Sequence, residues 1–238
     1  MSQQLVLKGI SSMATKAVLA VLTKMYQEKT GVTILIESVG GIDAAKRIQS
    51  GEAFDVVLLA SDAIERLIAS GHLQGDSRHD WVLSPVAVAV PHRSKSIDIS
   101  SEDALKNAVL ESPLLSYSTG PSGVYLEKLF ERWGVAEIVK SKLVVPPPGT
   151  PVGKLISDGL VALGFQQLSE LISIDGIDIL GTLPNEVSYI TTFSSGIPVS
   201  IESNSQRVHA ANQFLEFLAS NELDSIKAAQ GMTGINHH

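Results

Sequence analysis

Apolar positions recur along the chain with two different periods. QLVLKGI (4–10) is a short apolar run of strand type. MATKAVLAVLTKMYQEKTG (13–31) carries apolar residues at helical spacing and stops at Gly31. VTILIES (32–38) is β-branched and unbroken, the pattern of a strand buried on both faces. A glycine-ended helix over 42–51, a strand over 54–61 and a helix over 62–71 follow. This βαβαβα order predicts a parallel sheet with helices on its faces.

A second α/β unit comes next. LSPVAVAVP (83–91) and LLSYS (114–118) read as strands, with a helix over 123–134. KLVVPPP (142–148), a helix over 152–163 and ALGFQQL (162–168) complete it. GIDILGTLP (176–184) and VSYITTFSSGIPVSI (187–201) alternate instead, and 205–231 is a closing helical segment. The expected architecture is α/β and two-lobed, with a ligand cleft. Lobe 1 takes residues 1–83 and 181–238, and lobe 2 is inserted over 84–180. In open α/β sheets a ligand sits beyond the carboxyl ends of the strands.

Four loops of small residues fall at such ends, each opening a helix: GISSM, SVGGI, TGPSG and PPGTP. The first turn of a helix has unpaired N–H groups and about half a positive charge. Gly and Ser let a ligand approach that backbone, and hydroxyls add donors, so an anion is held without a cationic side chain. The candidates are Ser11, Ser12, Gly40, Gly41, Ser122, Gly123, Gly149 and Thr150. Plainer readings stand beside them. Ser12 fits a helix cap, Gly40–Gly41 a tight turn, and Gly149-Thr150-Pro151 a helix start. Ser61-Asp62 reads as a cap alone.

Composition narrows the classes. Of 238 residues, 44% are hydrophobic and 18% charged, as in an ordinary globular protein. A net charge of −7 without a basic run argues against nucleic acid. There is no cysteine, hence no disulfide or thiolate site. No apolar run reaches the ~20 residues of a membrane span. The first 25 residues lack the basic start and cleavage site of a signal peptide, and Lys16 interrupts their apolar part. A periplasmic protein whose leader has been removed, or a cytoplasmic one, is expected. The six His are scattered without ligand spacing, so no metal is expected, and His237 and His238 read as a tag remnant. GxSxG, GxGxxG and Walker loops are absent, and no cofactor is expected. A monomer is the expected state.

These stretches resemble the molybdate-binding-protein-like branch of the type 2 periplasmic binding proteins. GISSM, RIQSGEAFDVVLLAS (47–61), LSPVAVAVP, GPSGVYLEKLFERWGV (120–135) and FLEFLAS…AAQGM (214–232) carry the likeness over nearly the whole chain. It implies two α/β lobes, a two-stranded hinge, a small anion closed between the lobes, and export in the service of an ABC transporter's membrane subunits. It places Ser12 and Ser122 at oxyanion-donor positions. The second loop departs from the pattern, with Gly40, Gly41 and Ile42 where hydroxyls are usual. Gln167 stands where the family has a donating tyrosine. Molybdate is therefore not the expected ligand.

GFQQLSEL (164–171) with DGIDILGTLPNEV (175–187) resembles a divergent subgroup that includes aconitate isomerase. That resemblance implies an allylic proton shift on a tricarboxylate, for which Glu170, Lys8, Glu37 and Tyr189 are the candidate groups. Their plainer readings are a helix-start charge, a surface ion pair for Lys8, and simple packing for Tyr189. Arg78 and His79 read as a solvated linker. The open alternatives are an anion-binding transport protein, an isomerase and a cytoplasmic anion sensor.

Overall fold

The computed structural model describes residues 5–147 and 149–235, so His237 and His238 lie outside the described residues. The elements are β1 (Val6–Ser12), α1 (Lys16–Thr30), β2 (Thr33–Val39), α2 (Gly41–Gln49), β3 (Val56–Ala60), α3 (Ser61–Ala69) and β4 (His79–Pro91). Then come α4 (Glu102–Glu111), β5 (Leu115–Tyr117), α5 (Pro121–Arg132), α6 (Ala136–Lys142), α7 (Val152–Ser157), β6 (Leu163–Gln167) and α8 (Leu168–Leu171). The chain closes with β7 (Ile177–Thr182), β8 (Ile190–Gly196), α9 (Ser205–Ala219), α10 (Asp224–Ala229) and β9 (Thr233–Gly234).

The chain divides into two compact units. Unit 1 takes residues up to Leu83 and from Thr192 on, and unit 2 is Ser84–Thr191. The return to unit 1 thus falls at Thr192, later than the expected 181. The physical reason is that β7 pairs with β4 through Val88↔Gly181, while Leu183 and Val187 are buried in the unit 2 core.

In unit 1, β2 and β3 flank β1 in parallel, with Ser11 opposite both Ser38 and Leu58. β8 runs antiparallel to β3, and β9 pairs with β4. Strand β3 shows why its sequence is uniformly apolar. Val56 and Leu58 face one core cluster with Leu22, Tyr26 and Phe214, while Val57 and Leu59 face another with Ile10, Ile48 and Ile64. Tyr26 and Phe214 meet edge to face at 5.1 Å. Gly31 takes the left-handed conformation (φ 75°) that stops α1.

In unit 2, β5 and β6 are parallel, and β4 is antiparallel to β6. Val86, Val88 and Phe165 pack on one face, Ala87, Ala89, Val152 and Ile156 on the other. Two helices escape the periodicity reading. α4 is capped by Ser101, whose hydroxyl accepts from Ala104 N–H at 3.2 Å. α6 follows the left-handed Gly134. Of the strand expected over 142–148, Lys142 instead ends α6, and residues 143–147 pair only through Leu115↔Leu143 among the described residues. The helix expected over 152–163 ends at Ser157, ahead of the left-handed Gly159.

Candidate functional site

Parallel pairing puts the carboxyl ends of β1, β2 and β3 on one edge of unit 1, at Ser12, Val39 and Ala60. Ser12 ends β1 with extended backbone and precedes the short helical turn Met13–Thr15. Its side chain makes no capping bond, so the cap reading of this serine fails. Its Oγ is buried without a hydrogen-bond partner among the described residues, and Ser12 is 8% exposed. A buried unpaired hydroxyl costs about 1–3 kcal/mol, which a ligand acceptor would relieve. Ser11 differs, since its hydroxyl lies 2.8 Å from that of Ser38 and ties β1 to β2.

The second loop has less to offer an anion. Gly40 caps α2 and is exposed, Gly41 opens the helix, and the acidic Asp43 already occupies its first turn. Ser61 is not a cap either. Its hydroxyl lies 2.6 Å from Ser194 Oγ, which donates to Asp80, and Arg78 holds Asp80 and Glu65. Arg78, expected in a solvated linker, is thus engaged in an ordered chain of polar groups.

In unit 2 the carboxyl ends of β5 and β6 share an edge. After β5, Gly120 is the cap of α5 and Pro121 opens it, so Ser122 caps nothing. Ser122 is buried, with its hydroxyl 2.7 Å from Ser118 Oγ. Gly123 is there for space: a Cβ would lie 1.7 Å from the Ser118 carbonyl oxygen. Gly149 is left-handed (φ 76°), and Thr150 N–H donates to Pro147, a turn ahead of α7.

Gln166 and Gln167 end β6, both 3% exposed. Gln167 Nε2 donates to Thr191 Oγ1 at 2.6 Å, and its Oε1 is buried without a partner among the described residues. Gln166 Oε1 accepts from Gly153 N–H at 3.2 Å, and its Nε2 donates to Glu170 Oε1 at 2.9 Å. Burial pushes the Glu170 carboxyl up to about 7, against a smaller lowering by the Gln166 amide. A carboxyl near neutrality suits general acid–base work. Trp81 Nε1, also without a partner among the described residues, lies instead within the apolar core of unit 1.

The other candidate groups are placed differently. Lys8 is exposed in the first half of β1, four residues before its carboxyl end, and its backbone N–H donates to Asp55. Glu37 is paired with Arg47 at 2.7 Å, and that bond holds its carboxyl below the usual range. Tyr189 stacks on Tyr125 at 4.3 Å against the unit 2 core. Gln166 and Thr191 were not singled out from the sequence. The available signal was two adjacent carboxamides inside an otherwise apolar strand.

The profile of the bacterial extracellular solute-binding proteins matches residues 7–233. The chain belongs to that family. Its curated relatives include the aconitate isomerase of a Pseudomonas species, 37% identical over 213 residues, covering 86% of this chain and 78% of the relative. Among solved structures, the periplasmic molybdate-binding protein of Azotobacter vinelandii shares the fold with a TM-score of 0.78 at 18% identity, over 98% of this chain and 100% of that one. The sulfate-binding protein of Mycobacterium tuberculosis does so at 0.78 and 12%, over 98% and 88%. This solute-binding protein therefore has the type 2 periplasmic-binding fold. Among its described residues no helix is long and apolar enough to cross a membrane.

Proposed function

We propose that this solute-binding protein takes a small organic anion bearing carboxylates, with Ser12 as a donor to it. The observation that carries the reading is the buried Ser12 hydroxyl at the carboxyl end of a parallel strand, neither a cap nor paired among the described residues. The second loop, with no hydroxyl at Gly40 or Gly41, disfavours a tetrahedral oxyanion, which needs donors all round. Titration calorimetry with citrate, both aconitates, sulfate and molybdate tests this. A carboxylate is expected to bind and molybdate weakly or not at all. Ser12→Ala should weaken the best ligand by about 1.5–3 kcal/mol, the range for a hydrogen bond to a charged group. Unchanged affinity in that variant, or submicromolar molybdate binding, overturns the reading. The wider proposal is a monomer working outside the cytoplasmic membrane and delivering its ligand to the membrane subunits of an ABC transporter.

A second reading is favoured by Glu170. The relative named aconitate isomerase and a carboxyl titrating near neutrality together support an allylic proton shift. The base takes a proton from the methylene carbon of the tricarboxylate. That electron pair forms the new double bond, the old π pair moves to the far carbon, and that carbon is protonated. Nothing is oxidised, and no cofactor is required. NMR of trans-aconitate incubated with the protein in D2O would show the cis isomer and carbon-bound deuterium. No turnover by the full-length chain would rule this reading out.

A further inference from the structure

We propose that Gln166 is a positioning residue that commits Oε1 of Glu170 to its amide and leaves Oε2 as the oxygen that carries and delivers the proton. The inference rests on the isomerase reading of Glu170. A carboxamide can usually be turned over without any visible difference, but this one cannot. Gly153 N–H only donates, so the atom 3.2 Å from it is the carbonyl oxygen of Gln166. The NH2 group must then face Glu170, 2.9 Å from Oε1. Oε1 accepts that hydrogen bond, so an added proton goes to Oε2.

The packing enforces this. A Cβ on Gly164 would meet Ile156 at 2.5 Å and Val152 at 2.7 Å, so α7 lies directly on β6 and brings Gly153 to the amide. Other charges do not compete for Glu170. β6 has no charged residue, and Lys154 of α7 is exposed and paired with Asp158. The unit 2 stretch of β4 that reaches α8 through Ser84 and Ser169 has none either, and Asp175 beyond α8 is exposed. Gln166 is thus the group that opposes the rise caused by burial.

The test uses the full-length chain labelled with 13C at glutamate carboxyls, with Glu170→Gln assigning the resonance. In Gln166→Met the Glu170 midpoint is expected to move up by about half to one pH unit, because the amide hydrogen bond favours the carboxylate over the carboxylic acid by about 1 kcal/mol. The acid limb of the isomerisation profile should move with it, and kcat should fall while KM stays within about twofold, because Gln166 is not assigned to the ligand. Gln166→Asn keeps a buried amide but is too short to bridge both partners, and it should show the same shift if the methionine variant does not fold. An unmoved carboxyl midpoint in a folded variant overturns the proposal. If the wild-type protein does not turn over aconitate, the isomerase reading fails, and the carboxyl titration still decides whether Gln166 holds Glu170.

Discussion

Arg207, on α9, reaches across 152 residues of sequence to Asp55, the residue just before β3, donating from Nε to Oδ1 at 2.6 Å. The Asp55 side chain is only 4% exposed, and it also accepts the Lys8 N–H at 2.7 Å. The same guanidinium donates to the Val6 carbonyl at 3.0 Å. One arginine therefore joins the late helix to the first strand and to the entrance of the third.

Arg207→Ala should cost about 1.5–3 kcal/mol, because it leaves a buried carboxylate with the Lys8 N–H but without its charged partner. Arg47→Ala, which breaks exposed pairs with Glu37 and Glu52, should cost clearly less. Urea unfolding of both variants makes the comparison. Equal losses would mean that the burial of Asp55 carries no weight.

Glu170 should make stability depend on pH. Its folded value of about 7 exceeds the ordinary 4.5, so between those limits the folded chain binds more protons than the unfolded one. Stability then falls as pH rises through that window, and the full cost, up to about 3 kcal/mol, is present above it. Glu170→Gln should raise Tm at pH 8 and change it little at pH 4. A variant less stable than wild type at pH 8 would contradict a buried carboxylate penalty.

Ser12→Ala separates a ligand donor from a structural hydroxyl. Without ligand the variant should be at least as stable as wild type, since an unpaired buried polar atom is removed. A loss of about 1 kcal/mol or more in the ligand-free protein, read by thermal unfolding, would point to a cap or packing role.

Gly123→Ala and Gly40→Ala should differ. The first drives a methyl into the Ser118 carbonyl and should cost about 1–3 kcal/mol or more. The second meets nothing closer than Asp43 at 3.5 Å, with a negative φ of −57° open to any residue, and should cost clearly less, no more than the weaker capping of alanine. Chemical denaturation of the pair decides it.

The strand–helix alternation of unit 1 was legible because β3 is buried on both faces and carries an unbroken apolar run. VTILIES reads the same way, but β2 is an edge strand with Leu35 54% exposed, so an apolar run alone did not tell an edge from a centre. Helix starts at Gly41 and Pro121 were legible from glycine and proline chemistry. α4 was missed although its Ser-Glu-Asp start was present, because a polar stretch before it masked the period. The unit boundary near Thr192 depends on β7 pairing with β4, a contact between residues far apart in sequence. At the site, the serines and Gln167 could be named from residue type and loop position. What each hydroxyl binds could not be read. Ser11 and Ser122 are satisfied by Ser38 and Ser118, and Ser12 has no partner among the described residues. That difference is set by the register of strands and by a few ångströms of packing.

Unit 2 is one continuous stretch, but unit 1 is made from both ends of the chain. Its larger core cluster joins Leu7, Leu22 and Val56 to Phe193, Phe214, Leu218 and Met232. During synthesis the first 83 residues therefore emerge with an apolar face whose covering helix is not yet translated. Unit 2 can be completed while the earlier segment still waits. A chain paused after unit 2 has cleared the exit tunnel, but before residues 192–238 have done so, would hold a finished second unit and a sticky, half-built first one. That intermediate is where a holdase chaperone would have to act.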